Sequence, residues 1–99
     1  MMETIRVADR IGALQTNLDA VERFLALYDL YKFMSKGRPS VADASQINEA
    51  MQAAASNDRD LNVRAWASYF QDRIWGKRGL RPKPYLPKMW QLLIVEEIL

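Results

Sequence analysis

Residues 24–34 read Phe-Leu-Ala-Leu-Tyr-Asp-Leu-Tyr-Lys-Phe-Met, and only Asp29 and Lys32 interrupt the apolar run. At about 100° per residue, Phe24, Leu27, Leu30, Tyr31 and Met34 fall on one side of a helix. The opposite side carries Leu25, the continuation of a seam that starts upstream. That seam is Val7, Ile11, Leu14, Leu18, Val21, Leu25 and Tyr28, spaced by fours and threes, which is a helical period. A helix that is apolar nearly all round belongs in the middle of a structure. The sequence therefore predicts a central core helix with other helices on both sides. The competing reading of the same surface is a dimer or partner face.

One helix over 2–35 would be ~50 Å long at 1.5 Å per residue, against a radius of gyration of about 13 Å for a compact chain of this size. Such a helix must either project and pair, or break. A break or kink is expected near 12–17, where Gly12 weakens the helix and Thr16-Asn17-Leu18-Asp19 resembles a capping box. At the other end Gly37 suits a left-handed position after the helix, and Pro39 stops it.

Downstream, Ser40 or Asp43 can cap a helix whose stripe is Ile47, Met51 and Ala54, with Ala50, Ala53 and Ala55 letting a neighbour come close. The cluster Ser56-Asn-Asp-Arg-Asp60 reads as a loop and the next helix start. Its Asp58 and Asp60, with the more distant Asp72, raise a magnesium site, but capping explains the first two, so no metal is expected. Val63, Trp66, Ala67, Phe70 and Ile74 then give a broad core face. Tyr69 and Arg73 flank it on one side and Trp75 lies on the other. Gly76 and Gly79 mark the end.

Pro87 fits a helix start, and the apolar run that follows could be helix or strand. Its length favours helix, because a lone strand would need a partner. The tail Ile98-Leu99 is expected to dock on the core. The resulting fold class is all-α: one domain over 1–99, a small bundle of three to five helices, with a Pro-rich extended strap over 76–87 before a C-terminal helix.

Composition narrows the function classes. The 99 residues are 49% hydrophobic and 26% charged, as in a globular chain. Cysteine and histidine are both absent. That removes disulfides, thiolate chemistry, the usual zinc ligands and the side chain that titrates near neutrality unaided. The expectation is a protein that is not an enzyme and takes no cofactor. The opening Met-Met-Glu-Thr-Ile-Arg-Val has charges from its third residue and no long apolar block, so neither a secretory signal nor a membrane span is expected, and the location is read as cytoplasmic. The net charge is +2. Residues 1–56 carry six cations and seven acids, and 57–99 carry eight and five, so the basic excess lies in the second half.

That excess is concentrated in Gly76-Lys-Arg-Gly-Leu-Arg-Pro-Lys-Pro-Tyr-Leu-Pro-Lys-Met-Trp90. Three readings compete. Arg73, Lys77, Arg78, Arg81, Lys83 and Lys88, with no acid from 73 to 88, could neutralise phosphates while Trp75, Tyr85 or Trp90 stacks on bases. Arg81-Pro-Lys-Pro-Tyr-Leu-Pro87 fits the R-x-x-P-x-x-P pattern of polyproline ligands. The third reading is structural: Pro82, Pro84 and Pro87 stiffen an extended strap, pinned by Leu80, Tyr85 and Leu86, that carries the chain back to the core.

The functional expectation is a small interaction module that binds a larger protein or protein complex. Size and composition are those of phage and mobile-element accessory proteins, including stoichiometric inhibitors of host-defence complexes. The expected partner-binding residues are Arg73, Trp75, Lys77, Arg78, Arg81, Lys83, Tyr85 and Lys88, since aromatics and arginine are enriched at interface hot spots. The alternative is a nucleic-acid-binding regulator that uses 73–88 and forms a homodimer through 1–35.

Overall fold

The computed structural model describes residues 6–76 and 82–93. Its elements are α1 (Val7–Thr16), α2 (Ala20–Lys36), α3 (Val41–Asn57), α4 (Leu61–Trp75) and the short α5 (Lys88–Gln91). Among the described residues all regular structure is helical. The radius of gyration is 12.6 Å, close to the value expected for a compact chain of this length.

Two αα-hairpins form the body. In the first, Arg10 on α1 reaches Asp29 on α2 at 3.4 Å across the turn at 17–19. In the second, Gln71 on α4 donates to Asn48 on α3 at 3.2 Å across the turn at 58–60. The hairpins pack with α1 on α3 and α2 on α4. Helix α2 thus has α1 and α4 beside it, as its all-round apolarity predicts. Phe24, Ala26, Leu27 and Leu30 are completely buried.

The long N-terminal seam does break, after Thr16. The cap differs from the expected one. Asp19, not Thr16, accepts the N–H of Val21 at 3.0 Å, whereas the Thr16 hydroxyl donates back to the Gly12 carbonyl at 2.8 Å. Threonine in a last turn can satisfy a carbonyl behind it, which leaves the cap to the next carboxylate. Gly12 lies inside α1. For α3 the cap is Ser40, whose hydroxyl accepts the Asp43 N–H at 3.0 Å. Helix α3 runs through Ser56 and Asn57, so the loop begins two residues later than read.

Gly37 is not left-handed: its φ is −89°. Its reason is room, since a Cβ there would stand 2.5 Å from Phe33 Cδ1 and 2.7 Å from the Phe33 carbonyl oxygen. The left-handed position belongs to Gly76, with φ 65°, closing α4.

Val63, Trp66, Ala67 and Phe70 of α4 are completely buried. The Trp66 ring meets Phe24 edge-on at 5.8 Å and Phe70 at 5.4 Å. Trp66 also sends its indole N–H to the Tyr85 carbonyl at 3.0 Å, so a polar atom in the core fixes the returning chain. Leu86 and Trp90 are buried there, and Trp90 lies 5.0 Å from Phe24. Residues 82–87 hold no helix or strand. Pinning falls to Leu86 and to the Tyr85 backbone; the Tyr85 side chain is 72% exposed. Gly79 and Leu80, part of the expected strap, and the Ile98-Leu99 tail lie outside the described residues. Of the C-terminal segment, 88–91 is helical.

One buried pair was not foreseen. Arg23 donates through Nε and Nη2 to both oxygens of Asp58, at 3.0 and 3.1 Å, and through Nη1 to the Asn17 carbonyl at 2.9 Å. Both side chains are 5% exposed. Asp58 is therefore the link between the two hairpin turns rather than the cap of α4. The cap is Asp60, which accepts from Asn62 and Val63.

Candidate interaction surface

Because α4 turns Val63, Trp66, Ala67 and Phe70 inward, the end of the helix leaves Arg73 and Trp75 outside. Two residues apart on a helix means roughly 200° of rotation, so these side chains lie on opposite flanks. Of the expected partner-binding residues, Arg73 and Trp75 therefore do not share one face.

Arg73 leans toward α2. Its Nε donates to the Tyr31 hydroxyl at 3.0 Å and its Nη1 to the Tyr69 hydroxyl at 3.4 Å. The guanidinium also lies over the Tyr69 ring at 5.8 Å. These hydrogen bonds hold its pKa above the ordinary arginine value, so it stays charged. Tyr31 is itself fixed by stacking on Phe70 at 4.2 Å.

Trp75 leans toward α3. Its indole N–H donates to Asn48 Oδ1 at 3.2 Å, the atom that also accepts from Gln71. Asn48, Gln52, Gln71, Asp72 and Trp75 line a groove of about 250 Å³. The Trp75 side chain nevertheless remains 57% exposed. Its polar handle is satisfied and its ring is presented to solvent in a fixed attitude.

Beyond α4, Lys83, Tyr85 and Lys88 are exposed. Met89, Leu92 and Leu93 are also exposed, at 75%, 82% and 52%, and sequence reasoning had placed this run against the core. A single turn of helix after Pro87 lets only Trp90 point inward. Lys77, Arg78 and Arg81 lie outside the described residues.

Tyr31, Tyr69, Asn48 and Gln71 were missed as site residues. The Tyr69–Arg73 spacing of four was a readable signal for one flank. For Asn48 no local signal exists, because its partners come from α4, 23 and 27 residues away in sequence.

Other surfaces are soon accounted for. Val7 and Leu14 of the first seam are buried, and among the described residues of 1–35 the large exposed hydrophobic is Leu18, at 85%. Among the described residues no group of three acids could hold a metal ion. No described helix is long and apolar enough to cross a membrane. No family model, curated protein or solved structure matches this chain.

Proposed function

We propose that the chain is a small non-catalytic interaction module that covers a surface of a larger protein complex stoichiometrically. A phage or mobile-element accessory inhibitor of a host-defence complex is the role that fits its size and its Cys-free, His-free composition, by analogy at that level. The observation that carries the reading is Trp75. A tryptophan more than half exposed, with its indole N–H held by Asn48, has little rotamer freedom left to lose on binding. Tryptophan is also among the residues most enriched at interface hot spots. The exposed Lys83 and Tyr85, further along the chain, add an adaptable margin.

The test is affinity capture from the native host, with and without nuclease, using the wild-type chain and Trp75→Ala. A protein partner that survives nuclease and binds the variant about 30-fold more weakly, the loss typical of a hot-spot tryptophan, supports the assignment. Failure to recover a protein, or indifference to the substitution, removes it.

The second reading is a dimeric nucleic-acid-binding regulator. It draws on the exposed cations Lys83 and Lys88 flanking the exposed Tyr85 ring. It requires capture that nuclease abolishes, and binding that falls steeply between about 50 and 200 mM salt.

A further inference from the structure

The Arg73 flank carries more than a surface cation. Arginine has five N–H donors, and here Nε and one Nη1 hydrogen are engaged by Tyr31 and Tyr69. Three remain. Each tyrosine hydroxyl accepts from the guanidinium with its oxygen, so its own proton is still available. Among the described residues neither hydroxyl donates to an acceptor. A hydroxyl that accepts from a cation is polarised and becomes a better donor. The guanidinium and the two phenol O–H groups are thereby brought together on the flank between α2 and α4. No carboxylate among the described residues pairs with Arg73. The retained charge of Arg73 gives the space a positive potential.

We infer that Arg73, Tyr31 and Tyr69 form a receptor for a carboxylate carried by an acidic segment of a protein partner. The inference rests on the reading of the chain as a protein-binding module and names the partner's chemistry. A planar carboxylate offers two oxygens to a fork of N–H donors, and the flanking hydroxyls reach its remaining lone pairs. Nucleic acid fits less well. Unpaired bases need open aromatic faces, yet the Tyr31 ring is stacked on Phe70 and the Tyr69 ring is placed under Arg73 and edge-on to Trp66.

The experiment is an NMR titration of the full chain with blocked hexaglutamate, blocked hexaglutamine and a short oligothymidylate. It follows the Arg73 Nε–H signal and the Tyr31 and Tyr69 ring signals. Hexaglutamate should move all three saturably, while hexaglutamine leaves them in place. The double variant Tyr31→Phe with Tyr69→Phe keeps both rings and the arginine. It should bind about tenfold more weakly or worse, the cost of losing hydrogen bonds to a charged group, with an unchanged fold by circular dichroism. Unmoved signals, or a double variant that binds as tightly as the wild type, overturn the inference. So does tighter binding of oligothymidylate at the same three groups, which would make the ligand a phosphate. Each of these leaves Trp75-dependent capture untouched, so the two readings fail separately.

Discussion

The turns at Asn17-Leu18-Asp19 and Asp58-Arg59-Asp60 are built alike. Their first residues have φ, ψ of −64°, 138° and −59°, 143°, and their third residues −91°, 122° and −100°, 129°. In each, the first residue's N–H returns to an alanine carbonyl four residues back. Its side-chain oxygen takes the third residue's N–H, at 2.8 Å in one turn and 2.9 Å in the other. The third residue, an aspartate both times, caps the next helix. The difference is charge: Asn17 is neutral, and Asp58 meets the buried Arg23. An Asx turn needs only a side-chain oxygen, so local geometry accepts either residue. The tertiary partner decides which one stands where.

The largest effect follows from that difference. Arg23→Met leaves the Asp58 carboxylate buried without its cation and should cost about 3–5 kcal/mol in chemical denaturation. Asp58→Asn keeps the turn, as Asn17 demonstrates in the first one, but strands the guanidinium. Combining the two removes both charges. The double variant should therefore be less destabilised than the sum of the singles by more than about 0.5 kcal/mol, the limit for independent sites. Strict additivity would mean that the pair is not the link between the hairpins.

Next come the caps. Asp60 receives two N–H groups, from Asn62 and Val63, while Asp19 receives one, from Val21. Replacing either by alanine should cost about 1 kcal/mol, the usual value for a lost cap, and Asp60→Ala should be the costlier. The reverse order in urea melts would show that cap strength does not follow the number of donors satisfied.

This contrast also explains what the sequence discloses. The α4 core face, the break before α2 and the central place of α2 were legible, because burial imposes a period on neighbouring positions. Caps were legible to within a pair, Ser40 or Asp43 for α3 and Asp58 or Asp60 for α4, because a cap acts on residues two or three along; Ser40 and Asp60 are the ones that accept. Arg23 and Asp58 were not, because nothing local distinguishes an arginine that will be buried from one on a helix surface. The candidate interaction surface divides in the same way. Trp75 could be read as excluded from the core face, yet the splitting of Arg73 and Trp75 onto separate flanks depended on Tyr31 and Asn48, which reach them from other helices. Gly37 was misread because its constraint is the Phe33 ring and carbonyl, not its own φ.

The smallest effect probes the converse substitution. Asn17→Asp puts a carboxylate into the first turn in the position that Asp58 holds in the second. Its oxygen can still accept the Asp19 N–H, so the turn should form. What Arg23 takes from residue 17 is the backbone carbonyl, which the substitution leaves in place, and the Arg23 fork is already filled by Asp58. The new charge therefore gains no partner of its own, and stability should change by less than about 0.5 kcal/mol, as for an ordinary surface substitution. A gain well above that in urea melts would mean that the guanidinium can serve two carboxylates, and that the asymmetry between the turns is a matter of sequence rather than of geometry.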